Sequence, residues 1–151
     1  MNYEYCIMLD DMRVPKDVDT YIKLKPKFSS YPWIVVRNYA DFVSYIEEHG
    51  LPDLVALDHD LSAEHYTPPE FWNDYEASKK WQEENEKNHT EPTGAGAAKW
   101  LVEYCKKHEW ADLPDYVIIS LNPVGASNMK HILEDYIGER LLNKKSLMEN
   151  Q

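Results

Sequence analysis

The chain has few of the residues that support disulfide bonds, zinc sites or nucleic-acid binding. Its two cysteines, Cys6 and Cys105, lie within apolar runs, which favours buried free thiols over a disulfide or a zinc site. Arginine is scarce, because only Arg13, Arg37 and Arg140 occur among the 16 basic residues. The 27 acidic residues bring the net charge to −11, so the surface repels phosphate backbones and we expect no broad binding to DNA or RNA.

Long apolar runs are also missing. No stretch approaches the length of a membrane-spanning helix, and the N-terminus has no basic segment followed by a long apolar one. We therefore expect a cytoplasmic protein with neither a signal peptide nor a membrane segment. The 151 residues, of which 43% are hydrophobic, suit a single domain with one core.

Four short apolar runs predict strands, and amphipathic patterns between the later runs predict helices. The strands are predicted at Tyr3–Leu9, Trp33–Val36, Leu54–Leu57 and Tyr116–Ile119. The helices are predicted from the cap Asn38 to Gly50, from the cap Thr93 to about His108, and from an opening at Gly125–Ser127. Strands that alternate with helices indicate a three-layer, receiver-like (flavodoxin-like) α/β fold with an open parallel sheet. The predicted strand order is 2-1-3-4, with right-handed crossovers.

The predicted domain carries one insertion and one tail. Residues 1–140 form the receiver-like domain, and residues 141–151 form a charged tail, with uncertain order from Gly138 onward. Residues 62–92 form an acidic, aromatic insertion after the third strand, in which a helix should start near Pro69. Because the insertion leaves the carboxyl end of that strand, it should overhang a site there. Its rings could stack on a nucleobase, although most of them should cover the insertion's own inner face.

Polar side chains follow the strands at the edge where open α/β sheets bind ligands. Strands one and three end in Asp10, Asp11, Asp58, His59 and Asp60, strand two ends at Arg37, and strand four delivers Ser120 and Asn122. Crowded carboxylates repel one another, and a divalent cation removes that cost. We therefore predict Asp10, Asp11 and Asp58 as ligands of Mg²⁺ or another divalent cation, with Asp60 in reserve. The alternative is that single aspartates cap the turns that follow them.

Phosphate binding and proton transfer are predicted for the other polar groups of this edge. The candidate phosphate-binding residues are Arg13, Arg37, Thr93, Gly94, Ser120, Asn122, Gly125 and Asn128. Guanidinium groups suit bidentate phosphate contacts, and free backbone N–H groups at helix starts bind anions. The candidate catalytic residues are Asp58, His59, Asp60 and Ser120. Three alternatives stay open: salt bridging by the arginines, ordinary helix capping, and a His59 side chain that points away from the site.

Several of these motifs together resemble the family of cyclic-phosphate-processing receiver domains. The motifs are Leu9–Pro15 (LDDMRVP), Val36–Tyr39 (VRNY), Leu57–Leu61 (LDHDL), Thr93-Gly94 and Ser120–Gly125 (SLNPVG). The resemblance implies a divergent response-regulator receiver fold that processes cyclic phosphates on nucleotides or RNA ends. It also implies that Asp10 and Asp11 are the metal-binding pair and that Asp58 is the aspartate at the end of strand three.

The favoured hypothesis is a Mg²⁺-dependent phosphoesterase acting on a cyclic-phosphate nucleotide or RNA end. One departure from the family pattern motivates an alternative, a module that binds a cyclic nucleotide without cleaving it. Relatives commonly carry histidine just before Ser120, whereas this chain has Ile119, so catalysis is impaired or His59 takes over. A signalling receiver phosphorylated on Asp58 ranks third, because no fifth strand is predicted to deliver its lysine. A purely structural or interaction role is the general alternative.

Overall fold

The structure, a computed structural model, describes residues 2–149 and centres on a sheet of four parallel strands. The strands are β1 (Cys6–Leu9), β2 (Trp33–Val36), β3 (Leu54–Leu57) and β4 (Asp115–Ile118). Their order is β2-β1-β3-β4, which confirms the predicted topology and the receiver-like α/β fold. Leu9 lies opposite Val36 and Leu57, and Leu57 lies opposite Ile118. All four strands therefore end level, and the residues that follow them leave the sheet side by side.

Helices connect and cover the strands. The described part of the chain contains α1 (Pro15–Val18), α2 (Tyr39–His49), α3 (Tyr75–Asn85), α4 (Gly94–Lys107) and α5 (Pro123–Glu149). Short 3₁₀ helices occur at Phe28–Ser30, Ala63–His65, Pro69–Phe71 and Glu86–Asn88. The predicted caps are present, since the Asn38 side chain accepts the N–H of Asp41 (2.8 Å) and the Thr93 hydroxyl accepts that of Gly96 (3.5 Å). Among residues 2–149, no helix is both long and apolar enough to cross a membrane.

The two faces of the sheet are covered unequally. Helices α2, α4 and α5 pack on one face, where Phe42, Leu101 and Met129 are almost completely buried. The segment between β1 and β2 covers the other face, where Val18 and Phe28 are completely buried in a smaller cluster. Apolar burial of this kind supplies most of the stability of an α/β domain. The level strand ends lie between these two layers, at the edge where the predicted site residues emerge.

The insertion, residues 62–92, is held at its base by buried polar contacts. The Nδ1 atom of His65 accepts the N–H of Leu61 (2.8 Å), and Nε2 donates to the carbonyl of Glu91 (2.6 Å). Burial lowers the pKa of His65 and so favours the neutral ring that both bonds require. The Glu64 carboxylate accepts the backbone N–H groups of Thr90 and Glu91, each at 2.7 Å. These contacts tie the two ends of the insertion together beside the end of β3.

The helix of the insertion starts later than predicted. Only a single 3₁₀ turn begins at Pro69, whereas α3 begins at Tyr75. The reason is the cap, because the Asp74 side chain accepts the N–H of Ala77 (3.1 Å) and so marks the helix start. Strand boundaries shift less: β1 begins at Cys6, and β4 lies one residue earlier than predicted.

The last helix is longer than predicted at both ends. It begins at Pro123, two residues before the expected opening, and it continues through Gly138 to Glu149. The predicted tail of uncertain order is therefore helical up to Glu149, and residues 150–151 lie outside the described part. Leucine, lysine and glutamate are good helix formers, and a run of them outweighs one glycine. Proline at the first helical position explains the early start, since its missing N–H would have no partner there.

Candidate metal and phosphate site

A cavity of about 610 Å³ opens at the carboxyl edge of the sheet. Its wall is formed by the ends of β1 and β3, the loop after β4, and the insertion. The lining residues are Asp10, Asp11, Met12, Arg13, Asp58, Asp60, Tyr66, Thr67, Trp72, Ser78, Leu121, Asn122 and Pro123. Four of the predicted carboxylates, from Asp10, Asp11, Asp58 and Asp60, therefore line the same cavity, because the strands that they follow end level.

Three of these carboxylates are close enough to share one cation. Asp10, Asp11 and Asp58 each place an oxygen within 4.8 Å of the others. Burial, together with the charge of Asp10, raises the pKa of Asp58 to about 7, and the same two causes raise the pKa of Asp11. A divalent cation would relieve this crowding, and carboxylate oxygens are the ligands that Mg²⁺ prefers. The donor set therefore fits a metal ion, and Asp10, Asp11 and Asp58 are the residues that could hold it.

Arg13 is the basic residue that lies among the carboxylates of the cavity wall. Its Nε donates to Asp10 Oδ2 (2.6 Å) and its Nη2 donates to the carbonyl of Ile119 (2.7 Å). The Nη2 atom also lies 3.6 Å from Asp58 Oδ1, and the positive charge partly counteracts the rise in the Asp58 pKa. The remaining Nη1 atom is buried and has no hydrogen-bond partner among the described residues. Arg13 thus links the ends of β1, β3 and β4 and places a positive charge among the carboxylates of the cavity wall.

Asp10 combines the two roles that the sequence left open. Its Oδ1 accepts the backbone N–H groups of Met12 (2.9 Å) and Arg13 (2.8 Å), which makes it the cap of the turn after β1. It also belongs to the group of carboxylates that could hold a metal. The neighbouring Asp11 is bound more loosely, since its partner is the hydroxyl of Tyr66, 3.3 Å from Oδ2.

Arg37 supports the site from behind. Its Nη1 donates to the backbone carbonyls of Asp10 (3.2 Å) and Arg13 (2.8 Å), and Arg37 is absent from the cavity wall. These contacts brace the turn after β1. They leave Arg13 as the guanidinium that reaches the cavity.

Asp60 faces the cavity, and His59 lies behind it. The Oδ1 atom of Asp60 accepts from His59 Nδ1 (2.8 Å) and from Asn122 Nδ2 (3.2 Å). The His59 ring is buried against Gly125, where any Cβ would collide with it. His59 is therefore not part of the cavity wall, and it contacts the wall through Asp60 and Asn122.

The two glycine-containing helix starts are occupied by the protein itself. The N–H of Gly94 donates to the carbonyl of His59 (2.8 Å), and the N–H of Gly125 donates to Asn122 Oδ1 (3.1 Å). A Cβ at Gly94 would collide with the backbone of Asp58, so this glycine permits close packing of α4. Thr93 caps α4, and the Asn128 side chain is exposed on α5. The structure thus places Thr93, Gly94, Gly125 and Asn128 outside the cavity wall, and the first three serve the capping and packing of the helix starts.

The loop after β4 presents a mixture of core and cavity residues. The Ser120 hydroxyl accepts the N–H of Asn122 (3.0 Å), and Asn122 reaches the cavity. The Ile119 side chain is 3% exposed and packs in the smaller core cluster, while its carbonyl accepts Arg13. In this arrangement the position before Ser120 offers the site its carbonyl oxygen rather than its side chain.

Several cavity residues were not predicted from the sequence. Thr67 and Ser78 come from the insertion, and Met12 and Leu121 lie within the quoted motifs but were not assigned to the site. Gln82 of α3 forms a paired amide contact with Asn122, in which Nε2 donates to Oδ1 (3.1 Å) and Oε1 accepts from Nδ2 (3.3 Å). Forty positions separate these two residues, so no local pattern could have joined them.

Comparison with protein families supports the reading of the motifs. Residues 5–135 match the family model described as the cyclic-phosphate processing receiver domain. Comparisons with curated proteins and with solved structures gave no match. The matched segment extends from before β1 into α5 and includes every residue of the cavity wall.

Proposed function

This chain belongs to the family of cyclic-phosphate processing receiver domains, and we propose that it is a phosphoesterase acting on the cyclic phosphate of a nucleotide or RNA end. The observation that carries the proposal is the group of Asp10, Asp11 and Asp58 on the wall of a cavity of about 610 Å³. That volume lies within the range of about 300–1,000 Å³ typical of small-ligand sites.

We further propose that a divalent cation, Mg²⁺ by preference, is bound by these three aspartates. When bound, the cation supplies charge neutralisation and polarisation of a phosphoryl oxygen. Arg13 would then place its positive charge beside the phosphate, because it lines the cavity while its Nε and Nη2 atoms are held by Asp10 and Ile119.

Asp60 is the residue best placed to accept a proton from water. It lines the cavity, and the bonds from His59 and Asn122 both go to Oδ1, which leaves Oδ2 as the acceptor. His59 orients Asp60 by donating from Nδ1 and so serves as a positioning residue. In this scheme, isoleucine at position 119 causes no loss of activity, because its side chain belongs to the core.

The test is incubation of the purified protein with nucleoside 2′,3′- and 3′,5′-cyclic monophosphates, with and without Mg²⁺, followed by mass spectrometry. We expect a linear product heavier by one water, formed only with the cation. Asp58→Asn should reduce the rate by about 100-fold or more. The exposed Asp135 of α5 provides a matched control, since Asp135→Asn removes a carboxylate far from the cavity. Equal rates in the two variants would refute the mechanism.

The second candidate is a module that binds a cyclic nucleotide and leaves it intact. One observation favours it: none of the residues lining the cavity, within the described chain, is a histidine. Recovery of unchanged nucleotide from the denatured complex would support this function over hydrolysis. A phosphorylated receiver is disfavoured, because α5 follows β4 directly and no lysine lines the cavity among residues 2–149.

A further inference from the structure

The charge of the cavity limits how many phosphates a ligand can bring. Its wall carries four carboxylates, from Asp10, Asp11, Asp58 and Asp60, and one guanidinium, from Arg13. We call the four aspartates the acidic floor. When all four are ionised, one divalent cation does not outweigh them. A single phosphate charge can be met by the cation and by Arg13, whereas the described cavity wall offers a second phosphate no further cation.

The surroundings of the cavity extend this negative field. Residues 62–92 contain eight acidic residues and three lysines, and the whole chain carries a net charge of −11. This insertion supplies one side of the cavity, so a nucleic-acid strand entering there would run along an acidic surface. Nucleic acids bind chiefly through cations that contact their phosphates, and such cations are scarce here.

Large apolar side chains surround the acidic floor. Met12, Tyr66, Trp72 and Leu121 all line the cavity and are 74%, 45%, 66% and 65% exposed. We call these four residues the apolar rim. Single exposed apolar residues are common, but four that line one cavity mark a surface that binds an apolar group.

A hydrogen bond fixes the Trp72 ring at the cavity, where a ligand could contact it. Its Nε1 donates to the carbonyl of Thr67 (2.7 Å), which fixes the indole while most of its surface stays exposed. Tyr66 also lines the cavity and is anchored through its hydroxyl contact with Asp11. A nucleobase can stack on an exposed indole without a specific hydrogen bond.

We propose that the cavity is selective for nucleoside cyclic monophosphates and rejects cyclic oligonucleotides and RNA ends. This inference rests on the proposed function and narrows its substrate class. A cyclic monophosphate carries one negative charge for the acidic floor and one base for the apolar rim. Cyclic oligonucleotides and RNA ends carry additional phosphates, for which the described cavity wall offers no further cation.

The deciding experiment compares ligands that share one reactive end. Calorimetry in Mg²⁺ at low salt would compare a nucleoside 2′,3′-cyclic monophosphate, a short RNA with the same 2′,3′-cyclic end, and a cyclic dinucleotide. We expect the monophosphate to bind at least about tenfold more tightly than the other two, with a smaller difference as salt screens the repulsion. RNA that binds or reacts as well as the monophosphate would overturn the selectivity and leave the proposed function standing. Failure of all three ligands to bind would overturn both.

The apolar rim has its own test. Trp72→Ala should weaken binding of the cyclic monophosphate by about tenfold, while Trp72→Phe retains most of the affinity. Tyr75→Ala is the matched control, since Tyr75 is an exposed ring of the insertion that does not line the cavity. Mg²⁺ affinity should be the same in all three variants, which verifies that the acidic floor is intact. Equal nucleotide affinity in Trp72→Ala and Tyr75→Ala would refute the stacking subsite.

Discussion

The acidic floor and the apolar rim differ in how the chain holds them. The floor follows the ends of two buried strands, and short bonds fix two of its side chains, from Arg13 to Asp10 and from His59 to Asp60. Asp10, Asp58 and Asp60 are each less than 9% exposed. The rim comes from loops and from the insertion, and single hydrogen bonds hold Tyr66 and Trp72 to neighbouring segments.

The two regions therefore carry different energetic costs. Buried carboxylates repel one another, so the floor opposes folding until a proton or a cation neutralises it. Exposed apolar rings cost the fold little, because they are nearly as hydrated as in the unfolded chain. Substitutions in the floor should change stability and chemistry together, whereas substitutions in the rim should change ligand binding alone.

The largest effect on stability is expected at Asp58. Its pKa in the folded protein is about 7, above the ordinary value of 3.8, so the folded state holds a proton that the unfolded state releases between these values. Stability of the metal-free protein should therefore fall as pH rises through this range and level off above it. Asp58→Asn should remove this contribution and stabilise the protein by on the order of 2 kcal/mol at about pH 8, with little effect at about pH 4. Urea unfolding across this range is the measurement, and an identical pH dependence in both proteins would contradict the assignment.

Arg13 should show the next effect, in the opposite direction. Arg13→Gln removes the charge beside Asp10 and Asp58 and the bond to the Ile119 carbonyl, and it should destabilise the protein by about 1.5 kcal/mol. It should also raise the pKa of Asp58, as followed by carboxyl NMR titration. Arg37→Gln is the control, because Arg37 contacts backbone carbonyls and should leave that pKa unchanged. An equal shift of the Asp58 pKa in both variants would show that the charge of Arg13 is not its cause.

Gln82 lies at the border between the two regions. Gln82→Ala removes the paired amide contact with Asn122 and should cost about 1 kcal/mol of stability. Because Asn122 also donates to Asp60, the variant should weaken ligand binding several-fold as well. Glu83→Ala, at the next and exposed position of α3, should leave both unchanged. Thermal unfolding and nucleotide titration of the two variants measure the coupling between stability and ligand binding. Equal results for Gln82→Ala and Glu83→Ala would show that this coupling is absent.

The smallest effect on stability is expected in the apolar rim. Leu121→Ser exposes no new core and should change the free energy of unfolding by less than about 0.5 kcal/mol. Nucleotide affinity should fall nonetheless, since Leu121 lines the cavity. A loss of stability comparable to that of Arg13→Gln would show that the rim belongs to the fold, and the contrast between the two regions would disappear.

Sequence patterns predicted the acidic floor because it depends on local features. The strands β2 and β3 have the predicted bounds, and aspartates follow β1 and β3 directly. Parallel strands that end level bring such residues together without any knowledge of packing. The same reasoning did not find Gln82, because its contact with Asn122 depends on how the insertion folds over the sheet.

Sequence reasoning left the orientation of single side chains open. His59 follows Asp58 directly, yet its ring turns away from the cavity and packs against Gly125. Arg37 emerges at the correct edge but bonds to the backbone. The alternation of side chains at a strand end leaves two directions open, and neighbouring helices decide between them.

The sequence by itself determined the strands and the identity of the acidic floor, because strand periodicity and the residues after each strand are local features, and general rules for parallel α/β sheets supplied the strand order and the position of the carboxyl edge. Only the tertiary structure decided which rings form the apolar rim, that Arg13 rather than Arg37 reaches the cavity, and that Asp60 stands in front of His59. The physical reason is that these outcomes depend on contacts between the insertion, α5 and the strand ends, whose partners lie tens of residues apart.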